Sequence, residues 1–319
     1  MTDVDRKQAL DWGSVLDIRT TRSSFYQKNV EGRPLVTVGM PTYKRPDTIR
    51  RALSSLAAQS FRDFVVVVSD NGGEDDNTLE AVKEFADRLP EIYLIPQHEN
   101  LGAIPNFQFA LACAETKYFM WLADDDEISA NYLEVLVSLL EDDHEAVTAM
   151  GEWIMVDESG DGEKRRQRRN SSGSLNLRLA RYILGPSDDS FFYGVHRIEN
   201  LRKCGFEGYV YPNDGVLTNY CYVYLFDLLL QGPVKYSDHA QWICHGSNST
   251  KNYTAAGGRG VKAKLGTLTR RLNIHYLYAK KVARAMPPAL VVTVPASLAG
   301  FARENLSFVL GRFRRGGAE

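Results

Sequence analysis

The feature that most constrains the fold is an uninterrupted apolar run, Phe64-Val65-Val66-Val67-Val68. Its length and its β-branched residues are typical of a parallel strand that is buried on both faces. Comparable runs lie at residues 35–40 and 118–122, and segments whose apolar residues have helical spacing lie between the strands. Strands that alternate with helices predict an α/β fold, in which helices flank a mostly parallel sheet.

Polar residues follow each apolar run at the point where the strand is predicted to end. The three stretches are Pro41-Thr42-Tyr43-Lys44-Arg45-Pro46, Ser69-Asp70-Asn71-Gly72-Gly73 and Asp124-Asp125-Asp126. In parallel sheets, ligands bind in the crevice beyond the carboxyl ends of the strands. We therefore expect Tyr43, Asp70 and the three consecutive Asp residues to gather around one ligand.

The three consecutive carboxylates repel one another by about 1 kcal/mol or more per pair. A fold that keeps them at a strand end usually supplies a cation, so we predict a metal-diphosphate site. The alternative is a solvated turn in which Asp126 or a neighbour caps a helix that begins near Ser129. Neither G-x-G-x-x-G nor G-x-x-x-x-G-K-[ST] follows the first strand, so metal and side chains would have to hold the phosphates.

The composition excludes several classes of protein. A formal charge of -2 on 319 residues gives no basic field of the kind that nucleic-acid binding requires, so we expect no nucleic-acid partner. The four cysteines form no C-x-x-C pair, which fits a reducing compartment. The N-terminus lacks the layout of a secretory signal, and the apolar stretch 289–302 is too short to span a bilayer. We expect a cytoplasmic protein whose contact with the inner face of the membrane, if it occurs, is peripheral.

On several stretches the chain resembles the family-2 glycosyltransferases, which are inverting, nucleotide-sugar-dependent enzymes of the GT-A fold. The stretches are Val38–Pro46, Val68–Gly73, Asn100–Gly102 with Asn106-Phe107, and Trp121–Asp126. In order and spacing they cover roughly residues 34–157. The Asp-rich stretch is most similar to the abequosyltransferase-like enzymes, which transfer deoxysugars in bacterial surface-polysaccharide assembly. Many members carry an acidic residue where this chain has Ala123.

The resemblance implies a role for each acidic strand end. Asp125 would be a direct ligand of Mn²⁺ or Mg²⁺, Asp124 would lie near the ribose or the water shell of the metal, and Asp126 would be a second ligand or a cap. Tyr43 would lie against the base of the donor, and Asp70 would accept a hydrogen bond from a pyrimidine or the ribose. The residues expected to bind the nucleotide are Pro41, Thr42, Tyr43, Arg45, Asp70, Asn100, Gly102, Asn106 and Asp124. Asn106 could instead have no role in binding, because Asn is common at the start of helices.

An inverting transfer also needs a general base that takes the proton from the acceptor hydroxyl. Our candidate is Asp214, with Asp188 and Asp189 in reserve. Asp214 follows an aromatic segment and opens a predicted apolar helix that contains Leu217 and Tyr224, so it could instead be only a cap. His245 is a candidate ligand of the metal or the diphosphate, and the alternative is a partly buried, hydrogen-bonded histidine.

The resemblance implies a Rossmann-like nucleotide-sugar-binding half at 34–157 and an acceptor-binding half at 158–255. An N-terminal lead-in (1–33) precedes them, and a C-terminal helical extension (256–319) follows. The polar, basic stretch 158–170 predicts a mobile hairpin or loop, which either is solvated or contacts a diphosphate-linked lipid or an anionic membrane.

In the C-terminal extension, several apolar residues share one face of a predicted helix that ends at Pro287-Pro288. They are Leu265, Leu268, Leu272, Tyr276 and Ala279. The tail from Ala289 is either a membrane-surface helix or a helix packed on the catalytic domain or a second subunit. The sequence leaves the oligomeric state open.

These features predict a metal-dependent hexosyl- or deoxyhexosyltransferase. It would move a sugar, with inversion, from a nucleotide-diphosphate-sugar donor, with a pyrimidine base favoured, to a hydroxyl of a surface glycan or its lipid-linked precursor. One alternative is a catalytically silent nucleotide-sugar-binding subunit, which is compatible with Ala123. Another is a sugar nucleotidyltransferase, but the glycine-rich first loop of those enzymes is missing.

Overall fold

The computed structural model describes residues 34–72, 77–157, 160, 162–164, 173–185, 190–205, 208–210, 217–219, 221–245 and 261–315. The chain divides into two compact units, Met1–Ala130 and Asn131–Glu319. Each unit is an alternation of strands and helices in the part of the chain that is described.

In the first unit, strands and helices alternate as the apolar pattern predicts. The elements are β1 (Val36–Thr42), α1 (Pro46–Ala57), β2 (Phe64–Asp70), α2 (Thr78–Phe85), β3 (Ile92–Pro96), α3 (Ala103–Ala112), β4 (Tyr118–Trp121) and β5 (Glu127–Ile128). β1 pairs in parallel with β2 and β4, and β2 pairs in parallel with β3. Every residue of β1 and of β2 is buried, so the prediction of a parallel α/β sheet is confirmed.

The register of these strands brings their carboxyl ends together. Thr42 lies opposite Asp70, so β1 and β2 end at the same level. β4 ends at Trp121, opposite Gly39, and the Leu122 N–H donates to the Gly39 carbonyl at 3.0 Å. The chain that follows β4 therefore runs along the last residues of β1, where Asp124 meets Thr42.

Helix α1 buries the apolar face that its sequence spacing predicts. Ile49, Ala52, Leu53 and Leu56 are fully buried, and Pro46 occupies the first turn, where its missing N–H costs nothing. Burial of each large aliphatic side chain contributes about 1.5–3 kcal/mol. This packing fixes the start of α1 next to the loop that carries Arg45.

The second unit has a mixed sheet and two long C-terminal helices. Its elements are α4 (Tyr132–Asp142), β6 (Thr148–Val156), β7 (Gly162–Lys164), α5 (Leu175–Leu184), β8 (Val195–Arg197), α6 (Ile198–Leu201), β9 (Gly208–Val210), β10 (Leu217–Asn219), α7 (Cys221–Gln231), β11 (Val234–His245), α8 (Val261–Ala285) and α9 (Leu290–Arg315). β6 pairs in parallel with β11 and antiparallel with β7 and β8. Most of the polar stretch 158–170, predicted to be a mobile hairpin or loop, lies outside the described residues.

Two predicted helix starts are wrong. The helix expected near Ser129 begins at Tyr132, with Asn131 at its N-cap position, so Asp126 does not cap it. The helix that Asp214 was expected to open begins at Cys221 instead. Residues 217–219 form β10, which pairs with β9, and cross-strand hydrogen bonds there use the backbone groups that a helix would need.

The C-terminal extension is helical and breaks at a short 3₁₀ turn, Pro287–Ala289, as the sequence predicts. Its buried face differs from the predicted one, however. Tyr278 and Val282 are buried, whereas Leu272 and Tyr276 are 57% and 59% exposed. The rings of Tyr278 and Phe226 stack at 4.4 Å, so α8 turns its aromatic face towards α7. Among the described residues, no helix is both long enough and apolar enough to cross a membrane.

Candidate active site at the carboxyl ends of the parallel strands

Arg45 and Thr42 hold the two carboxylates that follow β4. Thr42 Oγ1 donates to Asp124 Oδ2 at 2.7 Å. One guanidinium nitrogen, Arg45 Nη1, lies 3.1 Å from Asp124 Oδ1 and 3.0 Å from Asp125 Oδ2. The loop after β1 therefore binds the acidic loop after β4 through one hydroxyl and one shared cation.

Asp124 is the buried member of this cluster. Its residue is 5% exposed, and both carboxylate oxygens accept hydrogen bonds. Burial raises the pKa of this carboxyl above its usual value, and the hydrogen bond from Thr42 and the charge of Arg45 oppose that shift. The two partners therefore favour the charged carboxylate and offset part of the effect of burial.

Asp125 is the more exposed carboxylate. Its side chain is 20% exposed, and Oδ2 accepts from Arg45. Its other oxygen, Oδ1, makes no hydrogen bond within the described part of the chain. The backbone carbonyl of Asp125 accepts from Arg51 Nη2 at 2.5 Å, and Arg51 Nε lies 3.5 Å from Glu127 Oε1. α1 thus fixes the backbone at Asp125 and leaves one carboxylate oxygen available to a ligand.

Arg45 supplies a positive charge to two of the three consecutive Asp residues, Asp124 and Asp125. This guanidinium offsets the repulsion between Asp124 and Asp125 without a bound ion. Across the described ranges, no three His, Cys, Asp or Glu side chains lie close enough together to hold a metal ion. Any metal here would need further ligands from elsewhere.

Asp126 and His245 were the other predicted metal ligands. Asp126 is 3% exposed, and its N–H donates to the Ala123 carbonyl at 3.2 Å, which closes the turn after β4. His245 is the last residue of β11 and is half-buried. The role of both residues as metal ligands stays a prediction.

A second polar network lies at the end of β2. Asn71 Nδ2 donates to Asn100 Oδ1 at 2.8 Å, and Asn71 Oδ1 accepts from the Leu101 N–H at 2.9 Å. Asn100 Oδ1 also accepts from the Gly102 N–H at 2.9 Å. Gly102 has φ +87 and precedes α3, where a residue without Cβ is favoured. Asn100 and Gly102, both predicted to bind the nucleotide, therefore belong to a loop that Asn71 fixes against β2.

Asn106 is buried and connects the ends of β1 and β2. Its Nδ2 donates to the carbonyls of Thr42, at 3.3 Å, and Ser69, at 3.1 Å. Its Oδ1 accepts from Ser69 Oγ at 2.5 Å, and that hydroxyl accepts from Gln97 Nε2 at 3.2 Å. Asn106 therefore holds two strand ends together, and its predicted contact with a nucleotide stays a prediction.

The remaining predicted nucleotide contacts differ in exposure. Tyr43 is 39% exposed, and the Lys44 ammonium lies 5.4 Å from its ring centroid. Asp70 is 3% exposed, and its carbonyl accepts from the Gln97 N–H at 2.7 Å. Pro41 is a buried residue of β1 opposite Ser69, and β1 runs on to Thr42 instead of ending before Pro41. The ring of Tyr43 is therefore one surface of this loop that a ligand can reach.

Sequence reasoning missed the residues that hold this site in place. Ser69 and Asn71 flank Asp70, Gln97 follows β3, and Arg51 lies on α1. The sequence did indicate a structural role for Ser69 and Asn71, because small polar residues at the end of a buried strand must form hydrogen bonds within the protein. Gln97 and Arg51 carry no such signal. The base candidates Asp188, Asp189 and Asp214 lie outside the described residues.

Comparison with known proteins gives the class to which this fold and site belong. The family model of glycosyl transferase family 2 matches residues 37–200. The match covers slightly more than half of the chain and includes every residue of the strand-end site. The chain therefore belongs to glycosyl transferase family 2.

Individual relatives match only part of the chain. An uncharacterised glycosyltransferase of Haemophilus influenzae is 31% identical over 128 residues, which is 40% of this chain and 39% of that protein. The GalNAc(5)-diNAcBac-PP-undecaprenol beta-1,3-glucosyltransferase of Campylobacter jejuni is 22% identical over 186 residues, 58% of each chain. For two glycosyltransferases of Rickettsia, the matched share of the relative falls to 18% and 21%. The chain thus spans less than two thirds of each of these relatives.

Two solved structures show the same fold. S. aureus TarS 1-349 in complex with UDP-GlcNAc has a TM-score of 0.56 at 18% identity, over 79% of this chain and 67% of that one. The mannosyltransferase PcManGT from Pyrobaculum calidifontis, in complex with GDP-Man and Mn²⁺, has a TM-score of 0.52 at 18% identity, over 90% and 81%. At this identity the likeness establishes the α/β glycosyltransferase fold. The predicted closeness to abequosyltransferase-like enzymes stays a prediction.

Proposed function

We propose that this chain transfers a hexosyl or deoxyhexosyl group, with inversion, from a nucleotide-diphosphate sugar to a hydroxyl of a surface glycan or its lipid-linked precursor. The observation that carries the proposal is the cluster of Arg45, Asp124 and Asp125 at the strand ends of a family-2 chain. In this cluster, the Arg45 guanidinium can donate hydrogen bonds to phosphate oxygens, and Asp125 has one carboxylate oxygen that can bind a metal ion. Both groups would stabilise the negative charge that develops on a departing diphosphate.

Asp125 is the residue that best fits a divalent metal. Its Oδ1 makes no hydrogen bond in the described chain, and its side chain is partly exposed, whereas both oxygens of Asp124 are occupied. Mg²⁺ in phosphate sites is commonly held by one or two carboxylates, with substrate phosphates and water as the other ligands. Bound Mn²⁺ or Mg²⁺ would supply Lewis-acid stabilisation of the departing diphosphate. Asp126 and His245 remain the candidates for a further protein ligand.

The nucleotide would lie against the loops that follow β1 and β2. The exposed ring of Tyr43 offers a flat face for a base, and stacking of this kind contributes about 1–3 kcal/mol. Asp70 and the loop that contains Asn100 and Gly102 would contact the base or ribose. We propose a pyrimidine base. The two related structures hold UDP-GlcNAc and GDP-Man, so the base must be decided by experiment.

The acceptor half would supply the general base. We propose Asp214, with Asp188 and Asp189 in reserve. The name of the Campylobacter jejuni relative specifies an undecaprenol diphosphate-linked substrate, which supports a lipid-linked acceptor. We propose that the reaction takes place at the inner face of the membrane. Asp214→Asn should lose sugar transfer and keep donor binding. Transfer at the wild-type rate in this variant would move the role to Asp188 or Asp189.

A panel of nucleotides tests the donor site first. UDP, CDP, GDP and ADP are each added with and without Mn²⁺, and the melting temperature is measured, because a ligand that binds the folded state raises its stability. We expect the largest rise with a pyrimidine nucleotide and Mn²⁺. If none of the four nucleotides raised the melting temperature, with or without Mn²⁺, the donor-site proposal would be wrong.

Turnover then separates an enzyme from a catalytically silent binding subunit. We expect Mn²⁺-dependent hydrolysis or transfer of the donor, reduced about 100-fold or more in Asp125→Asn. The matched control is Asp47→Asn, because the Asp47 side chain on α1 is 99% exposed. Nucleotide binding without turnover would instead identify the silent subunit, and unchanged turnover in Asp125→Asn would remove that residue from the metal site.

A further inference from the structure

Helix α9 exposes an apolar stripe to solvent. Val291, Val294 and Leu298 are 75%, 42% and 67% exposed and have the spacing of one helical face. Pro295 and Ala302 are also exposed and extend the same face. An exposed apolar stripe of this length indicates that something covers it.

Helix α8 exposes a second apolar stripe. It consists of Leu268, Leu272 and Tyr276, which are 40%, 57% and 59% exposed and are spaced four residues apart. These three residues belong to the apolar helical face that the sequence spacing predicts. The helix has two apolar faces, and the fold buries the one that carries Tyr278 and Val282.

The two stripes lie on the same side of an antiparallel helix pair. Arg271 Nη1 donates to Asn305 Oδ1 at 3.2 Å, and the rings of His275 and Phe301 lie 6.1 Å apart, so α8 and α9 run in opposite directions. Tyr278 of α8 packs on α5 and α7 through the rings of Tyr182 and Phe226.

Helix α9 packs on the same core. A Cβ at Gly300 would lie 2.9 Å from the Ile183 carbonyl of α5. Because both helices bury the side that faces this core, both stripes face away from it. They form one surface, which we call the α8–α9 apolar surface.

The two helices that carry this surface are rich in basic residues. Residues 261–315 contain eleven Lys and Arg residues and a single acidic residue, Glu304, within a chain whose formal charge is -2. Lys280 and Arg284 follow Tyr276 at successive turns of α8 and border its stripe. Apolar side chains flanked by Lys and Arg are typical of helices that lie in the interface of an anionic membrane.

We propose that the α8–α9 apolar surface binds the surface of an anionic lipid bilayer. The apolar stripes would enter the boundary between headgroups and acyl chains, and Lys280 and Arg284 would bind lipid phosphates. Charge favours a bilayer over a second copy of the chain, because two such basic surfaces would repel each other. The proposal does not depend on sugar transfer, since vesicle binding requires neither donor nor acceptor.

Vesicle co-sedimentation tests the proposal with the purified full chain. Vesicles of phosphatidylcholine alone are compared with vesicles that contain phosphatidylglycerol, at low and high NaCl. We expect binding to the anionic vesicles only, with at least a tenfold loss at high salt. Leu298→Glu and Leu272→Glu should each reduce binding at least tenfold, because each places a charge within a stripe.

Matched controls separate the surface from general effects of the substitutions. Leu177→Glu introduces the same change at a residue of α5 that is 42% exposed, and it should bind as the wild type does. Lys280→Glu with Arg284→Glu should lose binding, whereas Arg202→Glu with Lys203→Glu should keep it.

Two outcomes would overturn the proposal. One is equal sedimentation of Leu298→Glu and the wild type. The other is an absence of vesicle binding together with a wild-type dimer, seen by analytical ultracentrifugation, that Leu298→Glu converts to monomer. The latter result would assign the surface to a second copy of the chain.

Discussion

Thr42 Oγ1 donates a 2.7 Å hydrogen bond to Asp124 Oδ2, which joins the last residue of β1 to the acidic loop after β4. Asp124 in turn shares the Arg45 guanidinium with Asp125. The buried carboxylate thus anchors the loop, and its exposed neighbour is presented at the strand end. This division of roles between adjacent Asp residues underlies the first two predictions.

Thr42→Val should destabilise the protein by about 1.5–3 kcal/mol, because it removes a hydrogen bond to a buried charged group. Urea denaturation measures the free energy of unfolding. The pKa of Asp124 should rise further in this variant, since the Thr42 hydroxyl is one of the contacts that lower it. Thr42→Ser keeps the hydroxyl and should stay close to the wild type. A loss in Thr42→Ser as large as that in Thr42→Val would contradict this role of the hydroxyl.

Arg45→Met should increase the thermal shift that Mn²⁺ alone produces. The guanidinium and a metal ion compete for the same carboxylate charge, so its removal leaves Asp124 and Asp125 in greater need of a cation. The melting temperature is measured with and without MnCl₂. Arg88→Met, at an exposed arginine that lies over the Phe85 ring, is the control and should respond as the wild type does. Identical shifts in all three proteins would contradict metal binding at this cluster.

Asn106→Ala should cost about 3 kcal/mol of folding free energy, because it leaves the buried carbonyls of Thr42 and Ser69 without their side-chain donor. Asn77→Ala changes an exposed residue whose side chain makes no capping hydrogen bond, so the loss there should be within about 0.5 kcal/mol. The comparison uses urea denaturation. A small effect at both positions would mean that Asn106 does not hold the strand ends.

Gly72→Ala and Gly102→Ala should separate steric clash from backbone strain. Both glycines have positive φ, +90 and +87, so each alanine variant should lose about 1–2 kcal/mol. A Cβ at Gly72 would also lie 2.9 Å from the backbone N of Asn100, whereas one at Gly102 would meet nothing within 4 Å. Gly72→Ala should therefore cost a further 1–3 kcal/mol or so in urea denaturation. Equal losses of unfolding free energy in Gly72→Ala and Gly102→Ala would show that the loop at Asn100 moves to accommodate the added Cβ at little cost.

His196 should make the protein less stable in acid. Burial lowers its pKa to about 4, and its Nε2–H donates to the Phe192 carbonyl at 3.0 Å. Because this value lies below the ordinary 6.5, the neutral form contributes stability that is complete above pH 6.5 and is lost as the pH falls towards 4. The loss should approach about 3 kcal/mol.

The check on His196 is the pH dependence of the unfolding free energy in His196→Gln. Its curve should be flatter than that of the wild type between pH 6.5 and 4, even if the variant is less stable at neutral pH. His239→Gln, at a side chain that is 85% exposed, should leave the slope unchanged. Parallel curves for His196→Gln and the wild type would contradict the assignment.

Local patterns predicted the first unit well because they reflect burial directly. The β-branched run at 64–68 could only be a strand buried on both faces, and the spacing from Ile49 to Leu56 gave the buried face of α1. The same reasoning failed on α8, where two apolar faces compete. The core that α5 and α7 provide selects the face of Tyr278, and nothing local distinguishes it from the face of Leu272.

The sequence by itself determined the parallel α/β architecture and the position of acidic residues at the strand ends. Both follow from local properties of the chain, namely apolar periodicity and the alternation of strands and helices along it. Only the tertiary structure decided how those residues share their roles. Which of two adjacent carboxylates is buried depends on the register of β4 against β1, and which cation relieves them depends on where α1 places Arg45. Such contacts join residues about eighty positions apart, and no local pattern encodes them.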